Sequence, residues 1–177
     1  MSATDLIIRR ATTADANEIA RIHVDSWRMA YCGIVSDDYL AAMSYEDKAA
    51  KWGAEENNLL TRSEPTVVFI AENNENCLGF AGVGPSRNIS AENQAEIYVM
   101  YLDPNHMGQG IGRALFKACM EHAKRFDFKS LIIIVMSKNM QGRNFYEHMG
   151  GEIIPDSERL EKIAGGEENV ITYQWCL

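Results

Sequence analysis

The stretch Ala95–Arg113 constrains the fold of this chain more than any other. A β-rich run, Ala95–Leu102, stops at Asp103-Pro104, and glycines follow at positions 108, 110 and 112. Apolar residues then recur with helical spacing from Ile111 onward. A strand, a glycine loop and a helix N-terminus in this order form an anion site, because uncovered backbone N–H groups converge where the helix dipole is positive.

Two common nucleotide-binding patterns do not fit this loop. The dinucleotide pattern G-x-G-x-x-G fails in both registers, since Arg113 and Leu115 stand where its third glycine would be. A phosphate-binding loop of the G-K-[ST] type fails because the helix begins Gly112-Arg113-Ala114. The sequence therefore predicts an anion site of another kind.

Composition is typical of a single globular domain, which we expect to span residues 1–177. The longest apolar run, Leu131–Met136, is too short to span a bilayer, and the N-terminus lacks a signal pattern. We therefore expect a cytoplasmic protein that does not bind membranes. The four cysteines lie far apart, with neither C-x-x-C nor metal-ligand spacing, which predicts reduced thiols and no metal site.

The net charge of −8 argues against nucleic acid as a partner. Its distribution is uneven: the segment His106–Gly150 holds seven basic and three acidic residues, and the rest of the chain holds ten and twenty-two. We expect the glycine-loop half to meet a polyanion and the other half to tolerate a cation. A solvated helix face is the alternative interpretation of the basic segment.

Hydrophobic periodicity predicts strands and helices in mixed order, and hence an α/β or α+β fold. Strands are predicted at Leu6–Arg9, Thr66–Glu72, Cys77–Val83, Ala95–Leu102, Leu131–Met136 and Val170–Trp175. Helices are predicted after Thr12, from Ser36 to Met43, from Ser44 to about Leu60, from the glycine loop to about Phe126, and over Asn139–Met149. Residues 86–94 are expected to form a loop, and residues 154–168 a polar excursion from the sheet.

Two motifs resemble the N-acetyltransferase superfamily called GNAT. Its loop pattern, [QR]-x-x-G-x-[GA] after a strand and a proline, falls on Met107–Gly112, with Met107 in place of Gln or Arg. Its second signature, N-x-x-A-x-x-F-Y-x-x-x-G, falls on Asn139–Gly150, with Gly142 in place of Ala. Three further segments resemble the family: Ile8–Thr12, Trp27–Leu40 and Tyr173–Trp175. The resemblance implies a central mixed, mostly antiparallel sheet with a splayed strand pair, flanked by helices.

The resemblance also implies an enzyme, an N-acetyltransferase that uses acetyl-CoA as donor and no metal. The acetyl group would move to a primary amine of a small molecule, peptide or protein by direct attack in a ternary complex. The alternative is a non-catalytic acyl-CoA-binding or sensor module on the same fold. The implied cofactor-binding residues are Met100, Tyr101 and Leu102 at the strand end, Met107, Gly108, Gln109, Gly110, Ile111, Gly112 and Arg113 at the loop, and Asn139 and Phe145 in the second motif.

Two residues are implied to be catalytic. A lysine-like amine is neutral only about once in 2,500 at pH 7, so transfer needs a base, and Glu96 stands where the resemblance places one. Tyr146 matches the family's usual general acid and would give a proton to the departing thiolate. The structural alternatives are an exposed strand-edge glutamate and a tyrosine packed in the core.

The acceptor pocket is expected to include Trp27, Tyr31 and Tyr98. The first two lie four residues apart at a helix end, in a region that often lines the acceptor site of the family. The acidic residues Asp25, Asp37 and Asp38, with Glu96, favour a cationic amine as the acceptor. The sequence leaves the acceptor unnamed and the choice between monomer and homodimer open.

Overall fold

The computed structural model describes residues 6–54, 58–74, 76–88 and 92–177. Eight strands lie within these ranges: β1 Ile7–Arg10, β2 Val67–Glu72, β3 Cys77–Pro85, β4 Gln94–Leu102, β5 Ser130–Met136, β6 Glu152–Ile153, β7 Arg159–Ile163 and β8 Gly166–Cys176. Five α-helices lie there too: α1 Ala16–Ala30, α2 Asp37–Ala42, α3 Tyr45–Gly53, α4 Ile111–Arg125 and α5 Met140–His148.

The strands form a mixed sheet in the order β1-β2-β3-β4-β5-β8-β6. In addition, β7 pairs with the N-terminal residues of β8, from Gly166 to Val170. All neighbours are antiparallel except β4 and β5, which run parallel because α4 connects them on one face of the sheet. The expected fold class, a mixed and mostly antiparallel sheet flanked by helices, is confirmed.

The two parallel strands separate halfway along their length. Residues 94–97 of β4 pair with residues 130–133 of β5, and beyond the pair Ile97–Ile133 each strand keeps only its other neighbour. A bulge accompanies the separation, because Gly82 of β3 pairs with Val99 while Val83 pairs with Ile97, which leaves Tyr98 without an opposite residue. The strands therefore splay and leave an opening in the middle of the sheet.

Helices cover both faces of the sheet. The alternation of side chains along β4 sends Ala95 and Ile97 toward α4, where they pack with Leu115, Phe116 and Cys119. The opposite face of β2 and β3 packs on α1 and α3, with Phe80 fully buried there. A third cluster of buried residues joins α1 and α2 to the sheet through Val24, Leu40, Met136 and Val170.

Two elements differ from the sequence expectation. The helix predicted from Ser44 to about Leu60 ends at Gly53, because Ala54 is already extended; residues 55–57 lie outside the described ranges. The excursion predicted at 154–168 contains β7, and β8 begins at Gly166 rather than Val170. This β7–β8 hairpin carries charged residues on both faces, so its sequence lacks the alternation that marks a half-buried strand.

The remaining predicted elements are confirmed to within a few residues, including the antiparallel pairing of β2 with β3. Of the loop expected at 86–94, residues 89–91 lie outside the described ranges, and β4 begins at Gln94. Within the described residues, no helix combines the length and apolar character needed to cross a membrane.

Candidate active site

Asp103 fixes the segment that follows β4. Its buried carboxylate accepts hydrogen bonds from the Asn105 backbone N–H at 2.9 Å and from Arg21 Nη1 at 2.9 Å. Burial opposes the ionisation of Asp103, but these two donors outweigh it and lower the pKa of the carboxyl group. Because Arg21 lies on α1, this contact ties the start of the glycine loop to the helix layer on the other face of the sheet.

Two positions of the loop require glycine. Gly108 and Gly110 have φ angles of +76° and +83°, in the left-handed region where a Cβ is strained. Gly110 is the N-cap residue of α4, so the N–H groups of the first helical turn have no partner within the helix. At Gly112 a Cβ would lie 3.3 Å from atoms of both Leu102 and Phe145, which explains the close packing of α4 there. The loop has the geometry of an anion site.

A cavity of about 610 Å³ lies against this loop and extends into the opening between β4 and β5. We call it the loop cavity. Its described lining comes from five stretches of the chain. These are Ser26, Met29, Ala30 and Tyr31 at the end of α1; Tyr98–Leu102; Met107, Gly108 and Gly110–Arg113; Ile133–Val135; and Asn139, Gln141, Gly142, Phe145, Tyr146, His148 and Met149. Most of the residues that the sequence predicts for the cofactor meet here.

The described lining of the loop cavity contains one arginine, Arg113, and no acidic side chain. Arg113 and His148 lie at its edge, with Arg113 Nη2 3.2 Å from His148 Nε2, and both side chains are exposed. A phosphate group on the α4 N-terminus would therefore meet backbone donors and the Arg113 guanidinium, without a competing carboxylate among the described lining residues.

The opening exposes the edges of two strands to the loop cavity. Beyond Ile97, β4 keeps its pairing with β3 but has no partner on the side of β5. Residues Tyr98–Leu102 of this strand line the cavity, opposite Ile134 and Val135 of β5. An extended ligand with amide groups could add to such an edge as a short extra strand.

Tyr146 lies at the inner part of the loop cavity. It is 7% exposed and belongs to the apolar core beneath α5. Burial raises the pKa of its phenol, and Tyr31 and Cys119 raise it further. A phenol in this environment stays protonated at neutral pH, so it can donate a proton. The tyrosine is thus both packed in the core, as the structural alternative expected, and open to the cavity.

Tyr31 and Tyr101 flank Tyr146 in the same cavity. Burial raises the pKa of both phenols; Asn139 and Tyr101 interact with Tyr31 through hydrogen bonds that partly oppose this rise. The Asn139 side chain also accepts a hydrogen bond from Gly142 N at 3.0 Å and so begins α5. The second sequence motif therefore places both its Asn and its Tyr in the lining of the loop cavity.

A second cavity, of about 600 Å³, lies around Glu96, and we call it the Glu96 cavity. Its described lining is Ser86, Arg87, Asn88, Gln94, Glu96, Ile132, Ile134, Ile154, Arg159, Glu161 and Thr172. Ile134, the residue after the last pair between β4 and β5, lines both cavities and is therefore the point where their walls meet.

Glu96 is 1% exposed and is held by Arg87. One carboxylate oxygen accepts hydrogen bonds from Arg87 Nε, at 2.9 Å, and from Nη2; the other accepts one from the Arg87 backbone N–H at 2.9 Å. The Arg87 guanidinium also lies over the Tyr98 ring, 5.8 Å from its centroid. The alternative of an exposed strand-edge glutamate is therefore wrong: the side chain is buried and ion-paired.

Three of the residues predicted from the sequence lie outside the loop cavity. Glu96 lines only the Glu96 cavity, whereas Gln109 and Trp27 line neither cavity within the described chain. Trp27 packs against Tyr31 at a ring-centroid distance of 4.7 Å. Its buried Nε1 has no partner at hydrogen-bonding geometry among the described residues. Tyr31 and Tyr98, predicted with it for the acceptor, line the loop cavity instead.

Sequence reasoning missed His148 and two arginines, Arg87 and Arg159. His148 lies inside the second motif but was not singled out. Arg87 lies in the loop between β3 and β4, and Arg159 in a hairpin that the sequence did not reveal. In the sequence, each of these residues is typical of a solvated protein surface. Only the tertiary structure brings the two arginines to the lining of the Glu96 cavity.

A sequence model of the acetyltransferase (GNAT) family matches residues 17–151. The chain belongs to this family. It is 33% identical over 132 residues to the uncharacterised N-acetyltransferase YuaI of Bacillus subtilis (strain 168). The matched region covers 75% of this chain and 72% of that protein. The family and its relatives named as N-acetyltransferases show that this GNAT protein is an N-acetyltransferase.

Two further relatives of this GNAT enzyme have named acceptors. The L-amino acid N-acyltransferase MnaT of Escherichia coli (strain K12) is 23% identical over 70% of this chain and 75% of that protein. The spermidine N(1)-acetyltransferase of Thermoplasma acidophilum is 24% identical over 82% and 88%, respectively.

Solved structures share the fold of this GNAT enzyme. The PaiA N-acetyltransferase of Thermoplasma acidophilum, in complex with coenzyme A, has a TM-score of 0.71 at 19% identity, over 97% of this chain and 99% of that one. YncA from Salmonella typhimurium, with acetyl-CoA, has a TM-score of 0.69 at 21% identity, over 97% and 93%. Among the described residues, no group of three or more His, Cys, Asp or Glu side chains could hold a metal ion.

Proposed function

We propose that this enzyme transfers an acetyl group from acetyl-CoA in the loop cavity to a primary amine in the Glu96 cavity, with both substrates bound at once. One observation carries the proposal: Ile134, just beyond the last pair between β4 and β5, lines both cavities and so brings their walls together. A donor in one cavity and an acceptor in the other can therefore be bound at the same time and react near this residue.

The donor is held mainly by the backbone. The N–H groups at the start of α4, beside Gly108 and Gly110, bind the pyrophosphate, and Arg113 screens its charge. Met107 replaces the usual Gln or Arg at the first position of the loop, and it can be accepted because its backbone supplies the contact. The exposed positive charge of Arg113 and the absence of acidic lining residues in the described cavity support this assignment.

The edge of β4 positions the reacting group. The amide groups of the pantetheine arm pair with the free edge at Met100–Leu102, and Asn139 orients the arm from α5. A backbone N–H near Met100 polarises the thioester carbonyl, where negative charge develops during attack by the amine. Acetyl-CoA supplies the activated acyl group: a C–N bond forms, the C–S bond breaks, and the thiol leaves.

Glu96 acts as the base, directly or through a water molecule. The amine must lose a proton before or during attack, and Glu96 is a carboxylate of the acceptor cavity that pairs with Ile132, two residues from Ile134 on β5. Its two oxygens accept three hydrogen bonds from Arg87. Since a carboxylate offers about four acceptor positions, one remains for the amine or a water molecule.

Tyr146 supplies the proton that the departing thiolate takes up. Its phenol is kept protonated by burial, and it lines the loop cavity beside Asn139. Tyr31 and Tyr101 surround it with further hydroxyl groups, which can deliver the replacement proton. The proton balance closes with one proton released to water: a protonated amine loses two protons in becoming the amide, one through Glu96 before attack and one from the tetrahedral intermediate. One of these replaces the proton that Tyr146 gives to sulfur.

The acceptor is a primary amine of a small molecule, peptide or protein. The relatives with named acceptors act on an L-amino acid and on spermidine, both of which carry primary amines. The aspartates that favoured a cationic acceptor, Asp25, Asp37 and Asp38, line neither cavity. The charge preference of the acceptor therefore depends on the lining of the Glu96 cavity itself.

Release of CoA thiol from acetyl-CoA, measured over a panel of amines, amino acids, polyamines and peptides, tests this proposal. We expect amine-dependent thiol release together with a matching acetylated product detected by mass spectrometry. Acetyl-CoA binding, measured separately by calorimetry, separates the enzyme from the non-catalytic alternative. Tight acetyl-CoA binding with no amine-dependent release over the whole panel would favour a binding or sensor module.

A further inference from the structure

We infer that the acceptor is an amine that also carries a carboxylate, as a free amino acid does, and that Arg159 holds this carboxylate with help from Arg87. The inference rests on the proposed function, since it assumes that the Glu96 cavity receives the acceptor. It names the substrate class, which the family fold leaves open.

The ionic side chains of the Glu96 cavity come in two pairs. Arg87 binds Glu96, and Arg159 binds Glu161 through Nη2. The described lining therefore has two positive and two negative groups and no excess of acid. A polyamine, which carries positive charge only, would find no surplus of carboxylates to balance it.

In the first pair, the carboxylate of Glu96 is more fully occupied than the guanidinium of Arg87. Glu96 is almost completely buried and already accepts three hydrogen bonds from Arg87. Arg87 Nη1, in contrast, makes no hydrogen bond to any residue that the structure describes, and the side chain is 64% exposed. A guanidinium carries five N–H donors in a planar fork, so Arg87 retains donors that a ligand can use.

Arg159 is held more loosely than Arg87. Its Nη1 group makes two long hydrogen bonds, at 3.3 Å to the Ser157 carbonyl and at 3.4 Å to Thr172 Oγ1, and its side chain is 44% exposed. Within the described part of the chain, its Nε has no hydrogen-bond partner. A ligand carboxylate can replace these long contacts with a short bidentate one, which is the strongest geometry available to arginine.

The register of the sheet places Arg159 close to the meeting point of the cavities. Thr172, which Arg159 contacts, pairs directly with Ile134, and Ile134 lines both cavities. Glu96 of β4 pairs with Ile132, which lies two residues before Ile134 on β5. A carboxylate held at Arg159 thus leaves the amine of the same molecule between Glu96 and the opening, where the acetyl group arrives.

Part of the cavity wall is apolar. Ile132, Ile134 and Ile154 belong to its described lining, and both described lining carboxylates, Glu96 and Glu161, already form ion pairs with arginines. An amino acid with an apolar side chain packs against these isoleucines while its charged ends meet Arg159 and Glu96. We therefore assign apolar free amino acids as the acceptor class.

A series of matched acceptors tests the inference. Each of L-leucine, L-methionine and L-phenylalanine is compared with its amide, which keeps the amine and side chain but lacks the negative charge, and with its decarboxylated amine. Spermidine completes the panel. Rates of CoA thiol release are corrected for the neutral fraction of each amine, because the three forms differ in amine pKa. We expect kcat/KM to be about 10- to 100-fold higher for at least one amino acid than for its amide.

Two variants locate the effect. In Arg159→Gln we expect the preference for amino acid over amide to fall to about 1, while the KM for acetyl-CoA is unchanged. Lys162→Gln is the matched control, because Lys162 is an exposed cation on the same strand, β7, that is absent from the described lining of the cavity. It should retain both the rate and the preference.

The outcomes separate the two proposals. If amides and decarboxylated amines react as well as the amino acids, or if spermidine is preferred, the inferred class is wrong and the transferase function stands. A preference that survives in Arg159→Gln would remove Arg159 from the assignment. Absence of thiol release with every amine, despite acetyl-CoA binding, would contradict the proposed function itself.

Discussion

The two cavities have nearly the same volume, about 610 and 600 Å³, but they are built from different material. The loop cavity is made by backbone groups and apolar side chains of two sequence stretches, around the glycine loop and along α5, with the strand edges of the opening between them. The Glu96 cavity is made by charged side chains from β4, β7 and the loop before β4, over isoleucines from β5 and the segment before β7.

This difference decides what a sequence can reveal. A site formed by backbone within one loop leaves a fixed pattern of glycines, because only glycine tolerates the φ angles of Gly108 and Gly110. A site formed by single side chains from distant segments leaves no pattern of spacing. If the comparison holds, substitutions at the glycine loop will weaken acetyl-CoA binding whatever the acceptor, and substitutions at the Glu96 cavity will leave acetyl-CoA binding unchanged.

The largest effect is expected for Glu96→Gln, which keeps the size of the side chain and removes the base. We expect kcat to fall about 100- to 1,000-fold, as for other general bases, with acetyl-CoA binding unchanged. Steady-state kinetics and calorimetry measure the two quantities. A Glu96→Gln enzyme that retains the wild-type kcat would show that a water chain or another group removes the proton, and a loss of acetyl-CoA affinity would contradict the separation of the cavities.

Gly110→Val tests the backbone nature of the loop cavity. At φ +83° a β-branched residue is strained by about 1–3 kcal/mol, and its side chain covers the N–H groups, so we expect acetyl-CoA to bind about 100-fold more weakly. Gly165→Val is the matched control, because Gly165 has a similar φ of +78° in the β7–β8 turn. Equal losses of acetyl-CoA affinity in both variants would mean that strain, and not the phosphate site, was measured.

Tyr146→Phe tests the acid at the inner part of the loop cavity. We expect kcat to fall about 10- to 100-fold while the dissociation constant of acetyl-CoA stays the same. The pKa of Tyr146 is raised by burial, so its proton is retained and kcat should not decline as the pH rises toward the ordinary range of tyrosine. Tyr173→Phe is the control, since Tyr173 is also buried, 6.0 Å from Tyr146 between ring centroids, but lies outside the described lining of both cavities. It should lose stability and keep kcat.

The smallest effect concerns stability and should leave the comparison intact. Burial, and then Lys48, lower the pKa of His23 to about 3, so the folded protein keeps this ring neutral while the unfolded chain protonates near pH 6.5. The unfolded state then binds more protons, and stability falls as the pH drops from 6.5 toward 3, by about tenfold per pH unit in the unfolding equilibrium.

Denaturant unfolding at several pH values measures this slope, and His23→Gln should reduce it. Glutamine retains an acceptor for Trp52 Nε1, which donates to His23 Nδ1 at 3.3 Å. His122 and Asp103, whose pKa values are also lower in the folded protein, contribute to the slope that remains. An unchanged slope in His23→Gln would contradict the assignment to His23.

Local signals predicted most of the fold. The continuous apolar run Leu131–Met136 predicted β5, the glycines after Asp103 predicted the start of α4, and the turn signals around residue 75 predicted the β2–β3 hairpin. The β7–β8 hairpin was missed because its charged strands bury little surface, so no alternation of apolar residues marks them. The sequence pattern predicted that α3 would continue to about Leu60, but the helix ends at Gly53.

The sequence by itself determined the family and the loop cavity, because the chemistry there depends on backbone conformations that specific residues impose on their own short segment. It also identified Tyr146 and Glu96 as candidates. Only the tertiary structure decided their surroundings: that Tyr146 is buried beside Tyr31, that Glu96 is paired with Arg87, and that Arg159 approaches from a hairpin over 60 residues later. Strand pairing sets these distances, and pairing between distant segments depends on the packing of the whole sheet rather than on any one stretch of the chain.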